Sequence, residues 1–296
     1  MKSTKYKFWA FLLLALTAAA FLMFACGEDE PTEPEPPEAL EIPPLSTFLM
    51  DFDDFITSGL VHVSPDYSVV IIPDSIGFLK TTLSHDNWGW AALHVGVWNT
   101  IITVGLAVPV AAFVESFNHE PEQQADGSWM WSYDFTVAAD EYTAELHGEI
   151  DNLGTEWEMY ISKYEDTITV FEDFLWYSGQ ADLFVTEGTW TLNKHPEDPI
   201  PYVYIEWHRS LNSETADIKY TNIVPDGPEN GGYIFYGITT DTTYDAFYDI
   251  YNKGYENLTE IEWNRTTKDG QVKDPHHFED EEWHCWNGDH EDIDCP

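Results

Sequence analysis

A mainly β fold is what this 296-residue sequence predicts. The expected form is an antiparallel meander closing into a barrel or a strongly curved sheet of about ten strands, with N-terminal apolar helices packed against or inside it. Three features predict it. Segments between residues 127 and 287 alternate apolar and polar side chains with period two, short turn signals separate those segments, and Trp88 to Phe117 carries a single charged residue, Glu115.

The elements follow in chain order. Lys2, Lys5 and Lys7 precede an uncharged, strongly apolar run from Phe8 to Phe24, the layout of a secretory signal over residues 1–25. The run closes on Met23-Phe24-Ala25-Cys26, with Gly27 after it. A cysteine at the cleavage point resembles the lipobox of bacterial lipoproteins, although Phe24 stands where that family usually has a smaller residue. The resemblance implies that the Cys26 thiol takes a diacylglycerol, the signal is cut off and the new N-terminus is acylated. More than one acyl chain holds a protein firmly on a membrane. An ordinary signal peptide and a signal anchor are the alternatives. Residues 26–44 form a tether, in which Glu28-Asp29-Glu30-Pro31-Thr32-Glu33-Pro34-Glu35-Pro36-Pro37-Glu38 has almost nothing to bury and is kept extended by prolines and like charges. Acid directly after the cysteine also resembles the surface-export signals of Bacteroidota lipoproteins. It serves equally as a plain spacer.

A single β-rich domain is expected over residues 45–296, mostly helical over 45–120 and stranded over 127–287. Leu45, Phe48, Leu49, Phe52, Phe55 and Ile56 recur at helical spacing, and Tyr67 to Ile72 reads as an apolar strand. Trp88 to Phe117 is apolar all round, as in a helix that is buried or in a membrane. His94, Asn99, the Gly105 and Pro109 interruptions and the lack of flanking Lys or Arg favour a buried helix, broken so that Pro109 falls near the start of a second one. Its partner surface is written downstream. Trp131-Tyr133-Phe135, Tyr142-Ala144-Leu146, Trp157-Met159-Ile161, Gly188-Trp190-Leu192, Val203-Ile205-Trp207, Ile218-Tyr220 and Thr259-Ile261-Trp263 each mark one apolar strand face. Ile205-Glu206-Trp207-His208-Arg209 returns as Ile261-Glu262-Trp263-Asn264-Arg265, consistent with hairpins built on one template. A two-layer sandwich with the helix on one side is the competing architecture.

Charge and cysteine usage bound the function. Removing the three signal lysines from the twelve basic residues leaves nine against 54 acidic ones, a formal charge of −45. That repels nucleic acid, which is excluded as a partner. The acid is spread along the chain, as in salt-adapted or highly soluble proteins, rather than grouped into calcium sites. Asp241, Asp245 and Asp249 are the nearest to such a group, yet the alternation around them reads as a strand with an acidic face. With Cys26 lipidated, Cys285 and Cys295 remain and are expected to join as a disulfide. A metal site using His276, His277, His284 and His290 is the alternative, but no zinc-ligand spacing is present.

Candidate chemistry is sparse. Gly148-Glu149-Ile150-Asp151 resembles the catalytic strand of laminarinase-like glycoside hydrolases, but Leu153 stands where that family places its second carboxylate, and Glu149 lies on the polar face of its strand. No Gly-x-Ser-x-Gly elbow, phosphate loop or free cysteine nucleophile occurs. Aromatic residues make up 16% of the chain, most of them in phase with the apolar faces and therefore core. Tyr202, Tyr204, Tyr236 and Tyr251 read as out of phase and are the candidate ligand-binding surface. The functional expectation is a non-enzymatic lipoprotein held on the outer membrane through Cys26. It would bind a small apolar ligand or a cell-surface partner, with no catalytic residue, metal or cofactor beyond the acyl modification. An envelope glycan hydrolase and a purely structural envelope component are the alternatives.

Overall fold

The computed structural model describes residues 39–50, Phe52, Phe55, 61–63, 69–71, 85–165, 168–212 and 214–296, with the backbone alone over 61–63 and 69–71. The signal, Cys26, the tether as far as residue 38, Asp51, Asp53, Asp54, Ile56, Tyr67, Ser68 and Ile72 lie outside the described residues. A short antiparallel pair, β1 (Val61–Val63) and β2 (Val69–Ile71), stands apart from the main sheet.

The main sheet is a fourteen-stranded antiparallel meander in which every strand pairs only with its sequence neighbours. Its strands are β3 (Glu122–Gln123), β4 (Trp129–Val137), β5 (Asp140–Ile150), β6 (Gly154–Glu165), β7 (Ile168–Asp182), β8 (Glu187–His195) and β9 (Asp198–Arg209). They continue through β10 (Ala216–Asn222), β11 (Tyr233–Ile238), β12 (Ala246–Asn252), β13 (Asn257–Trp263), β14 (Gly270–Lys273), β15 (His284–Trp286) and β16 (Asp292–Ile293). The expected count of strands was too low. The missed ones are short, as β14 to β16 are, irregular, as β7 is, or, like β11 (YIFYGI), without a polar residue to mark the alternation. The register of β7 against β6 shifts three times, and Asp173 takes a positive φ of 48° there, which destroys the period of two.

Two helices lie against this sheet: α1 (Asp86–Gly105) and α2 (Ala107–Ser116), with Pro109 in the first turn of α2. Among the described residues no single helix is long and apolar enough to cross a membrane; this pair, bent by 72°, passes that test together on length and composition. In the fold its inner face is buried: Trp88, Ala91, Ala92, Val95, Phe113 and Ala112 all join the core. The outer face of α1 was expected to be buried too and is not, since Val97 is 50% and Ile101 41% exposed.

The helix pair touches both ends of the sheet. The Tyr133 hydroxyl on β4 donates to the Ala112 carbonyl of α2 at 2.6 Å. At the other end Asn87 donates from its side chain to the Cys285 carbonyl on β15 at 2.9 Å, and the Asp292 carboxylate on β16 accepts the Asp86 and Asn87 amides. From Asn87 to Ala112 the bent pair reaches about 30 Å at a rise of roughly 1.5 Å per residue. In a flat sheet β4 and β15, eleven strands apart, would lie about 50 Å from each other at roughly 4.8 Å per strand. The sheet must therefore curl. It does not close on itself, because β3 and β16 remain its edges.

The concave face holds the predicted apolar positions. Trp131, Trp157, Trp190, Trp207, Trp263 and Trp286 are all buried there. Several face a glycine on the next strand: Gly148 opposite Trp157, Gly179 opposite Trp190, Gly188 opposite Trp207, and Gly270 between Trp263 and Trp286. The indole folds over the bare glycine, so a β-carbon at Gly179 or Gly188 would meet the ring and a neighbouring carbonyl oxygen.

The segment before the helices fills what remains. Packing begins at Leu40 and Ile42 rather than at Leu45. Among the described residues the expected amphipathic helix shows only a single 3-10 turn, Leu45–Thr47, beyond which Phe48, Phe52 and Phe55 are buried in the concavity. Phe48 packs on Phe113, Tyr177 and Trp190, Phe52 on Tyr248, and Phe55 on Trp263 and Trp286. Past the turn, whose amides bond locally to Pro44 and Leu45, the sheet takes over part of the backbone. The Tyr220 hydroxyl donates to the Phe48 carbonyl at 2.6 Å and accepts from the Met50 amide at 3.1 Å. At the other terminus the Cys285–Cys295 disulfide is formed, as expected.

Candidate functional site

At one end of the curved sheet, the exposed side of α1 stands opposite the ends of β9 to β13, leaving a cavity of about 630 Å³. The helical wall is two adjacent rows at spacing four, Trp90-His94-Trp98 and Leu93-Val97-Ile101, which together form one mainly apolar stripe. The facing wall is mixed: Tyr202 and Val203 of β9, Asn222 of β10, Ile250, Tyr251 and Asn252 of β12, and Asn257 and Thr259 of β13. The apolar stripe was legible in the sequence as the second face of a helix without a polar side. Which face would be left uncovered was not.

Two carboxylates reach this cavity, Glu229 and Asp274, and both are committed. Asp274 caps the short helix α3 (Pro275–Phe278) by accepting the His276 and His277 amides. It also accepts from Trp90 Nε1, Asn257 Nδ2 and Thr259 Oγ1, each at 2.8 Å. Burial works against its ionisation, but the hydrogen bonds from Trp90, Thr259, Asn257 and His277 outweigh it and hold the carboxyl below its usual range. With five donors on two oxygens, Asp274 has no free lone pair for a proton transfer. Glu229 Oε2 accepts from the Gly254 amide at 3.4 Å and holds the turn after β12.

Of the four candidate tyrosines, Tyr202 and Tyr251 line this cavity. Tyr204 sits half-buried on the other face of β9, between Thr191 and Thr221. Tyr236 corrects the reading that it is exposed. It is 8% exposed and packs 5.0 Å from the Tyr248 ring, because directly paired residues share a sheet face and Tyr248 points inward.

The other sequence candidates disperse. Glu149 is exposed opposite Glu156, and Asp151 is occupied by the Leu153 and Gly154 amides of its turn. Asp241 caps its own turn, Asp245 holds Arg265, and Asp249 lies in mid-strand beside Glu260. Each histidine near the C-terminus meets an aromatic ring: His277 stacks on Trp90, His284 on Phe278, His290 on Trp88, and His276 leans on Tyr255. Burial lowers the pKa of both His277 and His290. Among the described residues no group of three or more His, Cys, Asp or Glu is placed to hold a metal ion. No protein-family model matches this chain, and neither a curated protein nor a solved structure does.

Proposed function

We propose that this chain is an exported, lipid-anchored binding protein of the outer membrane, non-enzymatic, that holds a small apolar ligand in the cavity between α1 and the ends of β9 to β13. The single observation that carries the reading is the uncovered stripe of Trp90, Leu93, Val97, Trp98 and Ile101 facing that cavity. A volume of about 630 Å³ falls in the range of small-molecule sites, which are mainly apolar with a few fixed polar groups. In this reading the sheet acts as an incomplete barrel with the helix pair as its remaining wall. Residues 1–25 direct export, and the acylated Cys26 and the acidic tether keep the domain at the membrane. The glycan-hydrolase alternative is disfavoured because Asp274 and Glu229 are bound by neighbouring donors rather than turned on one another.

The test uses the full exported protein. Native mass spectrometry of detergent-extracted material should show a retained apolar molecule, and a naphthylamine dye should bind the emptied cavity and quench Trp fluorescence. Val97→Glu and Ile101→Glu sit at solvent-accessible positions, so the fold should survive while dye affinity falls about tenfold or more. Unchanged dye binding in both variants would overturn the proposal. Intact mass of the extracted protein should show the acyl groups, and Cys26→Ser should release the chain from the membrane.

A further inference from the structure

A second cavity, of about 200 Å³, lies at the opposite end of the same strands. The sequence contains only two arginines, Arg209 and Arg265. Both line this cavity, and both sit at the ends of the two copies of the Ile-Glu-Trp-x-Arg segment.

The copies share a template down to the neighbouring strand. Trp263 of β13 pairs with Ala246, and the residue before that partner is Asp245. Trp207 of β9 pairs with Ile218, and the residue before that partner is Asp217. In the β13 copy Asp245 binds Arg265 through Nε and Nη2, both at 3.1 Å, and accepts its backbone amide at 2.8 Å. In the β9 copy the residue between Trp and Arg is His208 instead of Asn264. His208 Nδ1 takes the Asp217 carboxylate at 2.8 Å. The aspartate that the template assigns to the arginine is thus spent on histidine.

Among the described residues Arg209 has no carboxylate at ion-pairing distance, in a chain with 54 acidic residues. Lys163, Lys194, Lys253, Lys273 and Arg265 all hold carboxylates. Among the described residues, Arg209 Nε is buried with no hydrogen-bond partner, and so is Nε1 of Trp207, which lines the same cavity. Buried donors without acceptors are costly, more so when charged. The rest of the lining is mixed: Leu49, Ile218, Tyr236 and Ile238 are apolar or aromatic, Ser46 and Thr47 are polar, and Asp217, held by His208, also borders the cavity.

We propose that this cavity is a binding site for a small organic carboxylate, its anionic group on Arg209 and its apolar body against Leu49, Ile218, Tyr236 and Ile238. A planar guanidinium matches a carboxylate in two-point geometry. The volume limits the body to about the size of one aromatic ring or a short acyl chain. The net charge of the protein repels anions at long range, so local pairing at Arg209 has to provide the affinity.

The test titrates the full exported protein with benzoate, hexanoate and inorganic phosphate by calorimetry at neutral pH and 0.15 M salt. Saturable binding of benzoate or hexanoate, with phosphate much weaker, is the expected result. Arg209→Gln should weaken it about tenfold or more. His208→Asn reproduces the other copy of the template and frees Asp217 to pair with Arg209, so it should weaken binding similarly while leaving the arginine in place. Val97→Glu, at the other cavity, should leave carboxylate affinity unchanged, which separates this site from the apolar one. Absence of saturable carboxylate binding to the parent, phosphate binding as tight as benzoate, or unchanged affinity in folded His208→Asn would each overturn the proposal.

Discussion

Two aspartates on the C-terminal half of the sheet show how opposite environments act on one side-chain type. Asp274 gains five donors, and its carboxyl is held below the ordinary value of 3.8. A depressed acid stabilises the fold fully above the unfolded pKa, and that contribution disappears as pH falls through the folded pKa. Asp274→Ala should therefore cost about 3 kcal/mol at pH 7, through the lost cap and the stranded Trp90 and Thr259 donors, with the gap to the parent closing in strong acid. Urea unfolding across pH measures it. Asp249 goes the other way. Burial first, then Glu260 and Glu262, push it up to about 6, with Lys219 opposing. Its ionisation strains the fold above that pH and costs nothing below the unfolded value. Asp249→Asn should stabilise by about 1 kcal/mol at pH 7, after allowance for solvent screening, and by nothing near pH 3.

At the scale of the element, the decisive contact is the indole over the facing glycine. Gly179→Ala should destabilise by about 2 kcal/mol, because the Trp190 ring and a strand carbonyl occupy the space a methyl would need. Gly89→Ala on α1 meets nothing within 4 Å and should be neutral or stabilising by about 0.5 kcal/mol, on helix propensity alone. Thermal melts of the pair check both signs. The same elements show what the sequence made legible. Period-two strands such as β4, β9 and β13 read directly, because one face is buried along their whole length. The break between α1 and α2 was marked by Gly105 and Pro109. What stayed hidden depended on tertiary partners. The bulged β7 loses its period, and the helical spacing that starts at Leu45 gives one turn before the Tyr220 hydroxyl takes the Phe48 carbonyl and the Met50 amide. Tyr236 turns inward because Tyr248 does. The cavity stripe was visible as surplus apolar surface, whereas the freedom of Arg209 depends on which neighbour takes Asp217.

For the whole molecule, the curl of the sheet and the burial of the N-terminal segment are one problem. Without Phe48, Phe52 and Phe55 the concave face would expose Tyr177, Trp190, Tyr248 and Trp263 to water. Deleting residues 39–56 should abolish the cooperative transition and leave a species that binds a hydrophobic dye strongly, whereas Phe48→Ala should cost about 4 kcal/mol and keep cooperativity. Denaturant unfolding followed by tryptophan emission distinguishes the two outcomes. Because Phe48 and Met50 clasp the Tyr220 hydroxyl on β10 and Phe55 packs on Trp286 of β15, this early segment must wait, greasy and unshielded, until nearly the last hairpin has been made. Any shortened product that lacks the final strands would keep that sticky leading end, so incomplete copies should clump rather than circulate as stable fragments.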